Sequence, residues 1–212
     1  MTAHARWFRR RLLAVAWVVG AASVLVGLAL VLSYRPPSWW IDPIALAGNP
    51  DSLDRGSALE QHIAATVSRV RLGGERWVLR IRDSDINAWL AARGPLWTAH
   101  DPSLAWPMAG AATQVRFVDG TATVAIEVGG RIWSGSCAIS VAAGEISMSP
   151  QSGAIGQLPV PWGANLALGF LEGEGAQTLR LPRTFALGDG RTVEVLRVDL
   201  VSEAIEVECV TR

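Results

Sequence analysis

An uninterrupted apolar run over residues 12–32, preceded by Arg9, Arg10 and Arg11, constrains this chain more than any other feature. As a helix its roughly 21 residues reach about 31 Å, close to the hydrocarbon thickness of a bilayer. No acidic residue occurs before Asp42. By the positive-inside rule, this charge pattern predicts a cytoplasmic N-terminus and a main domain on the opposite, extracytoplasmic side. Aromatic residues suit the two interfaces: Trp7 on the inner side, and Tyr34, Trp39 and Trp40 on the outer. The run is longer than the apolar core of a cleaved signal peptide, and no small-x-small site follows it. It is therefore read as a single-pass signal anchor.

This reading divides the chain into a basic N-terminus (1–11), a transmembrane segment (12–32), a Pro-rich juxtamembrane linker (33–50) and one domain over residues 51–212. That last stretch is long enough for one hydrophobic core. With four of the 19 basic residues ahead of the run, fifteen Arg face 19 acids, and the remainder carries about −4. A mildly acidic domain is a poor partner for nucleic acid.

Asn49-Pro50 reads as a cap and first helical residue. The helix it opens carries Leu59, Ile63, Val67 and Val70 on one stripe and ends at Gly73-Gly74. A short strand follows over residues 77–81. Asp83 then reads as the cap of a second helix, with Ile86, Trp89 and Leu90 inward and Gly94-Pro95 as its stop. Residues 96–110, rich in Pro and Trp, have no periodicity and read as a long loop.

The rest alternates with period two. Hairpin signals at Asp119-Gly120, Gly129-Gly130 and Gly144 predict a four-strand antiparallel meander with one apolar face. Trp162, Leu166 and Phe170 suggest a short helix. Beyond it, Val193 and Val195 are out of phase with Leu196, Val198 and Leu200, which predicts a bulge. The last strand turns Ile205, Val207 and Cys209 inward. Segregated helices and strands give the fold class α+β: a long antiparallel, curved sheet packed on two or three helices.

Several residues carry this order of elements. After the anchor and its following helix come Ile81-Arg82-Asp83-Ser84-Asp85-Ile86-Asn87-Ala88-Trp89-Leu90, and near the end Phe185-Ala186-Leu187-Gly188-Asp189-Gly190-Arg191 and two strands through Cys209. In these the chain resembles the membrane-anchored YpmS-type proteins and, more distantly, the TULIP-like (LmeA-type) lipid-binding domains. The resemblance implies a curved sheet around a helix with an apolar groove, and binding of lipid or another apolar ligand in the cell envelope.

No pattern supplies a nucleophile, base or metal, so the expectation is a protein that is not an enzyme and needs no cofactor. Asp83 and Asp85 suit the first turn of a helix better than an acid pair. His4, His62 and His100 are scattered, with no converging ligands for a metal. Cys137 and Cys209 lie on core faces of strands and are read either as a disulfide or as buried free thiols. Trp97 and Trp106 in the Pro-rich loop, with Leu158 and Trp162, form the expected ligand or partner surface. Two functions stay open: an envelope binding module for an apolar ligand, and a structural subunit of an envelope protein complex.

Overall fold

The computed structural model describes residues 3–100, 112–118, 120–142, 144–161 and 179–212, with side chains from residue 16 onward. Helix α1 (Ala3–Tyr34) contains the apolar run, and its Ala16–Tyr34 portion is long and apolar enough to cross a membrane. Its side chains there are almost all exposed, so this part of the helix packs against little of the rest of the described chain.

Two antiparallel sheets, rather than one long one, follow. The first runs β2 (Thr113–Val118), β3 (Thr121–Val128), β4 (Arg131–Ala142), β5 (Glu145–Ile155) and β6 (Leu158–Pro159), with β7 (Leu179–Pro182) also paired to β5. The second has the order β1 (Arg76–Arg82), β10 (Ala204–Thr211), β9 (Thr192–Val201), β8 (Thr184–Ala186). The meander β2–β5 is the one the alternating pattern predicts. The split arises at β7–β8, where nearly continuous chain pairs first with β5 and then with β9. Between these pairings the Arg183 N–H donates to Gly144 O, and Arg183 O accepts from Val195 N–H.

Apolar residues of the two sheets meet in two clusters. Phe117, Ala122, Cys137 and Leu200 form one, and Ile146, Val193, Val195 and Cys209 the other. Cys137 and Cys209 are therefore buried free thiols in different halves of the core, not a disulfide. Burial pushes both thiols up, Cys209 to about 11. The expected bulge is present: Glu208 pairs with Arg197 and Cys209 with Val195, so Leu196 is skipped. A second one skips Gln151 on β5.

Helices α3 (Pro50–Ser68), α4 (Asp83–Ala92) and α5 (Gly94–His100) lie beside the sheets. Asn49 caps α3 through its side chain to the Asp51 N–H, as its sequence predicts. Asp83 does not cap α4. Arg82 holds that position without a side-chain bond, and Asp83 Oδ2 instead accepts from the Phe117 N–H of β2 at 3.2 Å. Residues 96–100, expected as loop, are helical in α5; the remainder of that stretch lies outside the described residues. So does the helix expected around Trp162.

The expected linker is fixed rather than free. It contains α2 (Pro43–Ala47), capped by Asp42. The amide of Gln114, fully buried on β2, pairs with both backbone groups of Ile41, at 3.1 Å to its N–H and 2.6 Å to its carbonyl. The end of α1 is held as well, because the β5–β6 turn closes on it. The Gln157 N–H donates to Leu32 O at 2.9 Å and its side-chain amide to Pro36 O at 2.9 Å. The first satisfies a carbonyl in the last turn of α1, where intrahelical partners run out, and the second holds the chain just beyond it. Arg131 of β4 donates to the Tyr34 hydroxyl at 2.7 Å, with its guanidinium 4.3 Å from the ring centroid. Trp39 and Trp40, edge to face at 6.4 Å, sit just beyond in a half-buried turn.

Gly156 makes this seating possible. Its φ is +58°, and a Cβ there would lie 2.5 Å from Arg35 O and 2.7 Å from both Leu32 O and Ser33 O. Gly144 has a comparable backbone, φ +87°, but open space around it. Gly156→Ala is therefore expected to cost clearly more than Gly144→Ala, which meets only the backbone penalty of about 1 kcal/mol. Thermal unfolding of the full chain in detergent should show a Tm several degrees lower for the first variant than for the second.

Candidate functional site

Helices α3 and α4 cross at Gly56, where a Cβ would stand 3.0 Å from Arg93 Cγ and 3.1 Å from Trp89 Cα. This close approach brings the next turn of α3 against the end of α4, and there Glu60 collects four hydrogen bonds. Its Oε1 accepts from Trp89 Nε1 at 2.8 Å, Arg93 Nε at 3.1 Å and Trp97 Nε1 at 2.7 Å, while Oε2 accepts from Arg93 Nη2 at 2.7 Å. One carboxylate thus joins α3, α4 and α5. The Arg93 guanidinium, followed by the two indoles, holds the Glu60 carboxyl down at about 2, against an ordinary 4.5.

From this junction an apolar groove of about 750 Å³ extends along α3 toward the β8–β9 turn. Ile63, Ala64 and Val67 form one wall, Trp89 and Trp97 another, and Leu187 closes it opposite. The apolar stripe that the sequence places on α3 therefore divides. Leu59 is buried, Ile63 and Val67 line an open groove, and Val70 stands 86% exposed beyond the helix.

Arg191 fixes the far end. It pairs with Asp189, and its Nη1 and Nη2 donate to Arg69 O at 2.7 Å and Ser68 O at 3.2 Å, covering the last carbonyls of α3. Arg191 holds the Asp189 carboxyl below its usual range. Both ends of the groove are thus set by ion pairs, and its walls are hydrocarbon and indole.

Of the surface expected from sequence, Trp97 lines the groove at 46% exposure. Leu158 belongs elsewhere: it pairs with Ile155 beside the seated end of α1. Trp106 and Trp162 lie outside the described residues. Trp7 is in α1, ahead of the described side chains. Among the described residues, no group of three or more His, Cys, Asp or Glu converges as a metal site.

Comparison with family models, curated proteins and solved structures finds no match. The chemistry must therefore be read from the residues.

Two structural carboxylates were missed in the linear reading. The donors of Glu60, namely Trp89, Arg93 and Trp97, recur every four residues but are split between α4 and α5 at Gly94-Pro95, so their spacing alone does not bring them together. Glu194 is flanked by Val193 and Val195 in β9. It is 5% exposed and paired with both Arg183 and Arg212, which lower its pKa, Arg212 foremost. Asn87 binds β2. Its amide donates to Val115 O at 2.8 Å and accepts the Val115 N–H at 2.7 Å.

The Glu60 junction gives a pH test. Because the folded pKa is depressed, its contribution to stability is complete above about pH 4.5 and is lost as pH falls toward 2. The shift corresponds to at most about 3 kcal/mol, and partial solvent access reduces this to roughly 1–2. Denaturant unfolding between pH 5 and 2.5 should therefore show that Glu60→Gln has a shallower acid dependence than the parent and starts from lower stability at pH 7.

Proposed function

We propose that this protein is a single-pass membrane-anchored binding module that takes an apolar ligand, such as a lipid acyl chain, in the groove beside α3. The single observation that carries the reading is the groove itself: an open cleft with almost wholly apolar walls. Its volume of about 750 Å³ falls within the roughly 300–1,000 Å³ typical of small-molecule sites. An exposed apolar cleft is costly to leave in water unless something covers it. The bonds at Glu60 and Arg191 fix its shape before any ligand arrives, which lowers the ordering cost of binding.

On this reading the N-terminal arginines stay in the cytoplasm and the domain lies in the cell envelope. The resemblance to YpmS-type and TULIP-like domains points the same way. A structural subunit of an envelope complex is the second reading. The observation on its side is the firm seating of α1 on the β5–β6 turn, which suits transmission of position rather than free tethering.

The full chain, purified in a non-ionic detergent, is expected to retain a stoichiometric apolar ligand, seen by native mass spectrometry and solvent extraction. Val67→Asp places a charge in the groove wall and should lower occupancy at least about tenfold. Leu158→Asp, remote from the groove, should leave it intact. An apo mass with no uptake of added fatty acid or phospholipid would move the weight to the structural reading.

A further inference from the structure

The last turn of α3 has a second side. Val67 and Ser68 face the apolar groove, while Thr66 and Arg69 face a separate, polar cleft of about 550 Å³. Arg71, Arg76, Trp77 and Glu75 complete it. Among the described residues that line it, three carry a guanidinium group and one, Glu75, a carboxylate.

Their bonding leaves donors available. The Arg69 side chain makes no ion pair or hydrogen bond among the described residues; only its carbonyl is engaged. Arg71 lies over Trp77, 4.2 Å from the ring centroid, with Nη1 donating to Arg69 O at 3.2 Å. Stacking uses the face of the guanidinium, so its remaining in-plane N–H groups stay free. Arg76 is only loosely held, at 3.5 Å from Glu208, with 72% of its side chain exposed. Glu75 is turned toward its own loop, where Oε2 accepts the Leu72 N–H at 3.2 Å.

A helix C-terminus ordinarily repels anions, because its last carbonyls carry partial negative charge. Here Arg191 covers Ser68 O and Arg69 O, and Arg71 also donates to Arg69 O, so that field is offset.

We infer that this cleft binds a phosphate-type oxyanion through Arg69, Arg71 and Arg76. Arginine suits this ligand because its planar fork offers paired donors to the oxygens, and the Trp77 stack holds one fork in place beforehand. The site stands on its own residues and does not require the groove to be occupied. A free phosphate compound and a lipid phosphate headgroup present the same chemistry to it.

The test is calorimetric titration of the full chain, in an uncharged detergent, with inorganic phosphate and pyrophosphate. Saturable binding is expected, tighter for pyrophosphate and weakening as salt rises. Arg69→Gln and Arg71→Gln should each weaken it by roughly tenfold. Arg80→Gln, on the same strand as Arg76 but outside the cleft, should leave it unchanged. Competition then assigns the source. A short-chain phosphatidylglycerol below its micellar concentration should displace pyrophosphate well ahead of glycerol phosphate if a headgroup is bound, and equally if free phosphate is. Absence of saturable binding overturns the inference, as does binding indifferent to Arg69 and Arg71 or lost equally in Arg80→Gln.

Discussion

The helical face depends on one carboxylate. Glu60 fills its lone-pair sites with two indole N–H groups and a forked guanidinium, so it fixes three helices with a single side chain. Two of those donors are tryptophans whose rings also wall the groove. The polar bond therefore does the orienting, and the apolar surface follows from it. Without that bond, Trp97 on the short helix α5 loses the hydrogen bond that holds its indole to α3. A half-exposed indole would then fall onto the hydrocarbon of Ile63 and Val67 and close the space.

A similar economy operates along β2. A sheet edge leaves backbone groups unpaired, and such edges invite association with other chains. Here two side chains of α4, an amide and a carboxylate, stand in for the missing strand. Asn87 satisfies both groups of Val115, Asp83 takes the Phe117 N–H, and Gln114 reaches the other way to hold Ile41. These contacts attach α4 and the segment after the anchor to the same strand. The acidic start of α4 thus has a structural use in the sheet as well as a favourable place in the helix dipole.

Local pattern was enough to read the long apolar helix α1, α3 and its cap, the β2–β5 meander and the bulge at Leu196, because each is written within a few consecutive residues. What escaped was long-range. Nothing between Pro182 and Thr184 announces that the chain changes sheets there, since either pairing satisfies an alternating strand equally well. The fixed segment after the anchor read as a linker because its prolines suppress periodicity, while the glutamine that holds it lies 73 positions away. The groove was half legible. Its residues were marked as an apolar stripe, but a stripe facing a core and one facing an opening have the same spacing. Cys137 and Cys209 occupy inward positions as expected, but they fall in separate buried clusters.

Gly156 has a consequence beyond local fit. A globular domain on a flexible stalk tumbles almost independently of its anchor and samples every heading above the membrane. Here the turn at Gly156 grips the last carbonyls of α1, and Arg131 clasps Tyr34 beside it. Rotation of the domain is then rotation of the helix itself, and on the proposed single-pass reading that motion is slowed by the viscosity of lipid rather than of water. The groove and the arginine cleft keep a fixed bearing relative to the faces of the spanning helix. Whatever meets that helix laterally also sets the compass direction in which the domain presents its two openings.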